Sequence, residues 1–251
     1  TIAPMAVLIG LVAWHEERKP KRALLESLPF LLLAAAMGII AIIGKSHLES
    51  LLTMPETIAL SFQSFAFVLG KIFVPTGLAP MYPVEPPIDI FGMTTTIGIG
   101  VALLVGILGT IALRRSRTAA VGIVWFLLFI IPSFATFSKG DSVFLASDRY
   151  AYVALIGVLL TIAAFLRPHI AKMQTPVTAA FITIACIFGF LAFGQAALWR
   201  DSETLFLHTL KMQPRAAAAA NNLGVLYFRE DKLEAAEAQF KATLALRPFA
   251  N

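Results

Sequence analysis

Long apolar runs broken by short polar connectors dominate the chain. A membrane-crossing helix needs roughly 20 mostly apolar residues to span about 30 Å of hydrocarbon. Four runs meet this. Ala23–Ile43 carries only Glu26, Gly92–Leu113 and Thr118–Phe137 carry no charge, and Pro176–Trp199 has Gln195 as its one strongly polar side chain. A fifth run, Tyr150–Leu166, is short, and extends upstream through Val143–Ser147 if Asp148 and Arg149 lie inside it. Thr1–Trp14 reads as the end of a sixth span. Its basic residues follow the apolar run instead of preceding it, which excludes a signal peptide, and a start in mid-span predicts a chain truncated at its N-terminus.

Glu56–Val74 has a mixed pattern. Thr57, Ser61, Ser64 and Lys71 fall at helical spacing on one face, with Phe62, Phe65, Leu69 and Phe73 mainly elsewhere. This predicts an amphipathic helix at the membrane interface. The distribution of basic residues supports that choice over a crossing. If the segment does not cross, nine basic residues (Arg18, Lys19, Lys21, Arg22, Arg114, Arg115, Arg117, Arg167, Lys172) share one side, against four (Lys45, Lys71, Lys139, Arg149) on the other. Cytoplasmic loops carry the excess of Lys and Arg. Loops 44–91 and 138–149, and everything after Trp199, are therefore expected on the extracytoplasmic side. Within Gly92–Leu113, the small residues Thr94, Gly98, Ala102, Gly106 and Thr110 recur at spacing four, a pattern that lets another helix approach closely.

Composition excludes a soluble protein. The 251 residues are 58% hydrophobic and 14% charged, against about 25% charged in soluble domains. Charge also divides the chain. Residues 1–198 hold 13 Lys/Arg and 9 Asp/Glu, whereas the 53 residues of 199–251 hold 7 and 6. The expected domains are thus a transmembrane part, 1–198, and a water-facing part, 199–251. The net charge of +5 comes with no basic cluster interleaved with aromatics, so nucleic acid is not an expected partner. The lone Cys186 lies in an apolar run and is uninformative about redox compartment.

Residues 217–250 fit one helix–turn–helix repeat of 34 residues. Leu223, Gly224 and Tyr227 mark its first helix, Ala236 and Phe240 its second, and Pro248 its end. A step back of 34 positions aligns Phe206 with Phe240, Thr209 with Thr243, Leu210 with Leu244 and Pro214 with Pro248. The pattern resembles tetratricopeptide repeats, about one and a half of them. Such arrays usually need three or more units, so truncation at the C-terminus is expected as well. Asn221 and Asn222 begin the exposed side of the first repeat helix. They are candidates either for binding a peptide in a repeat groove or for bridging adjacent helices.

Two polar clusters stand out. In Ser147-Asp148-Arg149-Tyr150, followed by Tyr152, an ionisable pair falls at a membrane boundary, where charge is costly. Arg149 has the planar fork suited to a phosphate. The alternative is that Asp148 and Arg149 pair with each other, or with Lys139 and Asp141, to start a helix. The second cluster, 73–83, contains Pro75, Gly77, Pro80 and Pro83, which forbid a regular helix and favour a fixed extended loop. Lys71 and Tyr82 there are candidates for contact with a lipid-linked substrate, the alternative being a structural loop packed on the spans. His15, His47, His169 and His208 are isolated, and neither metal-ligand spacing nor a phosphate-binding glycine loop appears.

The order of these features carries a further resemblance. Leu28-Pro29-Phe30 enters a span, Pro75-Thr76-Gly77-Leu78 and Tyr82-Pro83 follow, then Ala146-Ser147-Asp148-Arg149-Tyr150. Finally Trp199-Arg200-Asp201-Ser202-Glu203-Thr204-Leu205-Phe206 leads into the repeats. The chain resembles the transmembrane and tetratricopeptide-repeat-containing proteins, which include protein O-mannosyltransferases of GT-C type. The resemblance implies an all-α, partly GT-C-like polytopic bundle with a short extracytoplasmic repeat segment, in a bacterial inner membrane or the endoplasmic reticulum membrane. It also implies sugar transfer from a polyprenyl-phosphate donor to a protein or peptide acceptor, with no further cofactor evident. In GT-C enzymes the catalytic acidic residues lie in the first outer loop, upstream of Thr1, so no catalytic residue is assigned and this segment alone is expected to be inactive. By role, Arg149 and then Lys71 are the donor-phosphate candidates, with Asp148, Tyr150 and Tyr82 lining the site. A non-catalytic, membrane-anchored repeat scaffold for protein–protein contacts is the alternative function.

Overall fold

The computed structural model describes residues 8–10, 12–13, 16, 19–45, 51–139, 142–170 and 174–246. Among these, six helices are long and apolar enough to cross a membrane. They are α1 (Pro20–Lys45), α2 (Met54–Phe73), α3 (Met93–Arg115), α4 (Arg117–Ile130, continued by a 3-10 turn, Ile131–Thr136), α5 (Ala151–Ile170) and α6 (Gln174–Leu198). The protein is mostly helical, and this set of helices fits a multi-pass membrane protein. The expected partial span Thr1–Trp14 lies largely outside the described residues, as do His15, His47, Asp141, Lys172, Pro248 and the side chain of His169. α6 is apolar on every side and none of its span is buried, with Phe190 79% and Phe193 80% exposed. A helix apolar all round and uncovered by protein is suited to lipid.

Two compact units form, one from Thr1–Ser50, Gly100–Ala135 and Tyr150–Pro168, the other from Leu51–Ile99, Thr136–Arg149 and His169–Asn251. In the first, α4 and α5 meet at a glycine pair. A Cβ on Gly122 would lie 2.6 Å from the Gly157 carbonyl oxygen, and one on Gly157 would lie 2.6 Å from the Phe126 nitrogen. Thr161 Oγ1 donates to the Gly157 carbonyl at 2.8 Å, and Trp125 Nε1 donates across the same junction to the Val153 carbonyl at 2.9 Å. The small-residue stripe on α3 meets the expectation at one position and not along its length. Gly98 does meet another backbone, at Phe62 of α2, but Gly106 has open space where its Cβ would be. Thr110 turns its hydroxyl to the Ile107 carbonyl of its own helix. Close helix packing in the first unit thus falls at Gly122 and Gly157, a pair that the spacing-four pattern does not pick out.

The second unit adds a small sheet to the mostly helical chain. It contains a three-stranded antiparallel sheet in the order β1 (Tyr82–Val84), β3 (Ser142–Ala146), β2 (Ser138–Lys139). Tyr82 pairs with Ala146 and Val84 with Val143. The upstream extension of the fifth span through Val143–Ser147 is therefore a strand instead of helix. Val143-Phe144-Leu145 is β-favouring, and Pro83 is tolerated because β1 is an edge strand. α2 starts with a reciprocal cap, in which the Thr53 hydroxyl accepts from the Glu56 amide and the Glu56 carboxylate accepts from the Thr53 amide. Its buried face is Glu56, Ala59, Leu60, Ser64, Phe65 and Val68, and β3 packs on this helix. Ser64 leaves the expected polar face for the core, while Thr57 and Ser61 fold their hydroxyls back onto carbonyls four residues earlier. That is how hydroxyl side chains are satisfied without water.

Three short helices close the chain: α7 (Ser202–Met212), α8 (Ala217–Arg229) and α9 (Leu233–Leu246). Asp201 caps α7, accepting from the Thr204 amide at 2.7 Å. α8 ends in a left-handed residue, Asp231 with φ 61°, and the Lys232 and Asp231 amides return to the Tyr227 and Phe228 carbonyls, closing the orphan carbonyls of the helix end. α9 then folds back so that the Phe240 ring lies against Gly224. Tyr227 donates to Glu203 at 2.8 Å, which joins α8 to α7.

Candidate functional site

The last turn of α2 aims Lys71 over the loop that follows. Its ammonium donates to the Thr76 carbonyl and lies 5.3 Å from the Phe67 ring centre and 5.6 Å from that of Tyr82, within cation–π range. The two rings meet edge to face at 4.7 Å. The loop itself is irregular, as its prolines dictate, and turns at Gly77, whose φ of 58° suits glycine.

Tyr82 is 4% exposed, and its hydroxyl organises the loop. It accepts from the Ala79 amide at 2.8 Å and reaches Asp148 Oδ1 at 3.0 Å and the Gly77 carbonyl at 3.2 Å. One hydroxyl proton cannot serve both acceptors, and the carboxylate is the stronger one. Burial first, and the Asp148 carboxylate next, hold the Tyr82 phenol well above its usual pKa, so it stays a donor. One residue away, Ser147 Oγ donates to the Pro80 carbonyl at 2.6 Å.

Lys71, Tyr82 and Asp148 thus come together from the two sequence clusters. Asp148 opens a 3-10 turn, Asp148–Tyr150, ahead of α5. Its carboxylate accepts from the Tyr82 hydroxyl, a partner not considered from sequence. Arg149 is exposed and Tyr150 half-buried. Asn221 and Asn222 are exposed on α8, and no described hydrogen bond links them to this cluster. Among the described residues no group of His, Cys, Asp and Glu is arranged to hold a metal.

His208 is the residue that sequence reading missed. From α7 its Nε2 meets the Leu78 carbonyl at 3.3 Å. Near the same loop, Arg215 donates to Glu85 at 2.8 Å. Both partners are 130 positions away, so only tertiary structure reveals them. The chain matches no known family, curated protein or solved structure.

Proposed function

We propose that the protein is the membrane-spanning part of a GT-C-like glycosyltransferase. In this reading it transfers a sugar from a polyprenyl-phosphate donor to a protein acceptor, and α7–α9 form tetratricopeptide-like helices that dock acceptor or partner. The observation that supports it best is the Tyr82–Asp148 bond. It joins the Pro75–Pro83 motif to the Ala146–Tyr150 motif, the two segments whose order underlies the resemblance, beside the Lys71 ammonium. Arg149 follows Asp148 directly and is exposed, which suits a guanidinium that meets a donor phosphate at the membrane surface. Lys71, whose ammonium donates to the Thr76 carbonyl, is the lesser candidate.

The topology proposed with this reading has α2 lying flat. Both of its ends are tied to one loop, Glu56 Oε1 accepting from the Ile88 amide at 2.9 Å and Lys71 reaching Thr76. The 74–91 segment between those contacts contains no helix, and irregular backbone does not cross lipid-exposed hydrocarbon. With α3 to α6 crossing, the 74–91 loop, the 138–149 segment and α7–α9 share a side, which agrees with the bonds between them. The basic residues then make that side extracytoplasmic.

The test is sugar transfer from a polyprenyl-phosphate donor in membranes carrying the intact gene product. Arg149→Ala is expected to abolish transfer at an unchanged membrane level of protein, and unchanged transfer contradicts the assignment. One observation favours the scaffold alternative. Lys71, Tyr82 and Asp148 satisfy one another and the loop, as a purely organising cluster does. An intact protein that lacks transfer activity but retains partner binding through α7–α9 would establish that second reading.

A further inference from the structure

The 77–85 segment is held from two directions. On one side Tyr82 bonds Asp148 and Ser147 bonds the Pro80 carbonyl. On the other, α7 supplies His208 to the Leu78 carbonyl, and Arg215, between α7 and α8, pairs with Glu85. Leu78 is adjacent to Ala79, whose amide donates to the Tyr82 hydroxyl. A pull at His208 therefore reaches the Tyr82–Asp148 pair through one peptide unit and one hydrogen bond.

We propose that the C-terminal helices set the position of this loop, with His208 as a positioning residue that holds Tyr82 on Asp148. Occupancy or displacement of α7–α9 is thereby communicated to the Asp148–Arg149 turn. The carbonyl can only accept, so His208 works through a proton on Nε2. The neutral Nε2–H tautomer and the imidazolium both supply it. The contact needs a donor at that position but not a charge. Arg215–Glu85 is exposed on both sides, 72% and 63%, and is the weaker restraint, as surface pairs are. The inference concerns the same cluster as the transferase reading but does not depend on any activity.

Hydrogen exchange of the intact protein in detergent micelles or nanodiscs tests it. His208→Leu is expected to speed exchange of amides in 77–84 roughly fivefold, the size of one lost hydrogen bond. His208→Gln, which restores an N–H donor at similar reach, is expected to return it to the parent rate. Exchange within the α8–α9 hairpin is expected to stay unchanged. Arg215→Glu is expected to give a smaller acceleration of the same amides, reversed by adding Glu85→Arg. If His208→Leu leaves 77–84 at the parent rate, or His208→Gln fails to restore it, the proposal is overturned. If His208→Leu loosens α8–α9 as well, the charge pair decides: no change in 77–84 with Arg215→Glu overturns it.

Discussion

Tyr82 and Asp148 are 66 positions apart, and their side chains meet at 3.0 Å. The bond fixes a mostly irregular loop onto the turn that opens α5, and it leaves the loop with a buried phenol at its centre. Tyr82→Phe keeps the ring contact with Phe67 but leaves the Ala79 amide and the Asp148 carboxylate without this partner. Leaving buried polar groups unmade costs about 1–3 kcal/mol. The variant is expected to unfold at lower temperature in detergent and to lose exchange protection across 77–84. Equal protection in parent and variant would contradict this role.

The same bond makes an alkaline prediction. The Tyr82 pKa is raised above its ordinary value of 10.0, by burial first and then by Asp148. A raised folded pKa means the unfolded chain gives up the proton first. The stabilisation is complete below pH 10 and is lost as pH rises through the higher folded value. The Tyr227 phenol is also held up, by burial first and then by its bond to Glu203, so two late tyrosinate components are expected in spectrophotometric titration, and Tyr82→Phe is expected to remove one of them.

In the membrane helices, steric reasoning singles out Gly122. Its missing Cβ is what lets α4 and α5 touch backbone to backbone, since any Cβ there would overlap Thr161 and the Gly157 carbonyl. Gly122→Leu is expected to destabilise the α4–α5 pair by at least the 1–3 kcal/mol typical of overpacking. Gly106→Leu, with open space at its Cβ, is expected to be neutral. Thermal unfolding in detergent separates the two. Equal midpoints would show that the glycine crossing is not a close contact.

These elements differ in how legible they were. Helices were readable because run length and charge absence are local properties; three of the four long runs coincide with a helix to within a few residues, and the fourth, Thr118–Phe137, does so once the 3-10 turn after Ile130 is included. The cap at Thr53 and the irregular loop at 75–83 follow from local chemistry too. The strand at Ser142–Ala146 was not readable, because its four apolar residues, Val143–Ala146, next to a span look like more span. Only pairing with Tyr82–Val84, some 60 residues earlier, gives it an identity. The small-residue stripe on α3 was informative only at Gly98, for a related reason. Spacing shows which residues permit a close approach, whereas which neighbour arrives is decided by topology, and the neighbours came to Gly98 and to Gly122. For the site, Lys71, Tyr82, Asp148 and Arg149 were singled out as chemistry-bearing types at a membrane boundary. Their pairings, and the place of His208 among them, depend on contacts across 66 and 130 positions.

The placement of α2 is the prediction on which the proposed orientation turns. The helix is long and apolar enough to cross, at a mean hydropathy of 1.2, the lowest of the six. Its two ends nevertheless bond one helix-free loop, and β3 packs against it. Met54 and Phe73 flank it and are 77% and 58% exposed, so each can carry a cysteine without loss of packing. In a Cys186→Ser background, which removes the native exposed thiol, Met54→Cys and Phe73→Cys are expected to react with an impermeant maleimide from the same side as Asn221→Cys. Arg114→Cys, exposed at the end of α3, is expected to react from the opposite side. Labelling of Met54→Cys and Phe73→Cys from opposite sides would make α2 a span. That result would place Arg18–Arg22 across the membrane from Arg114–Arg117, and the charge argument for an extracytoplasmic site would fall with it.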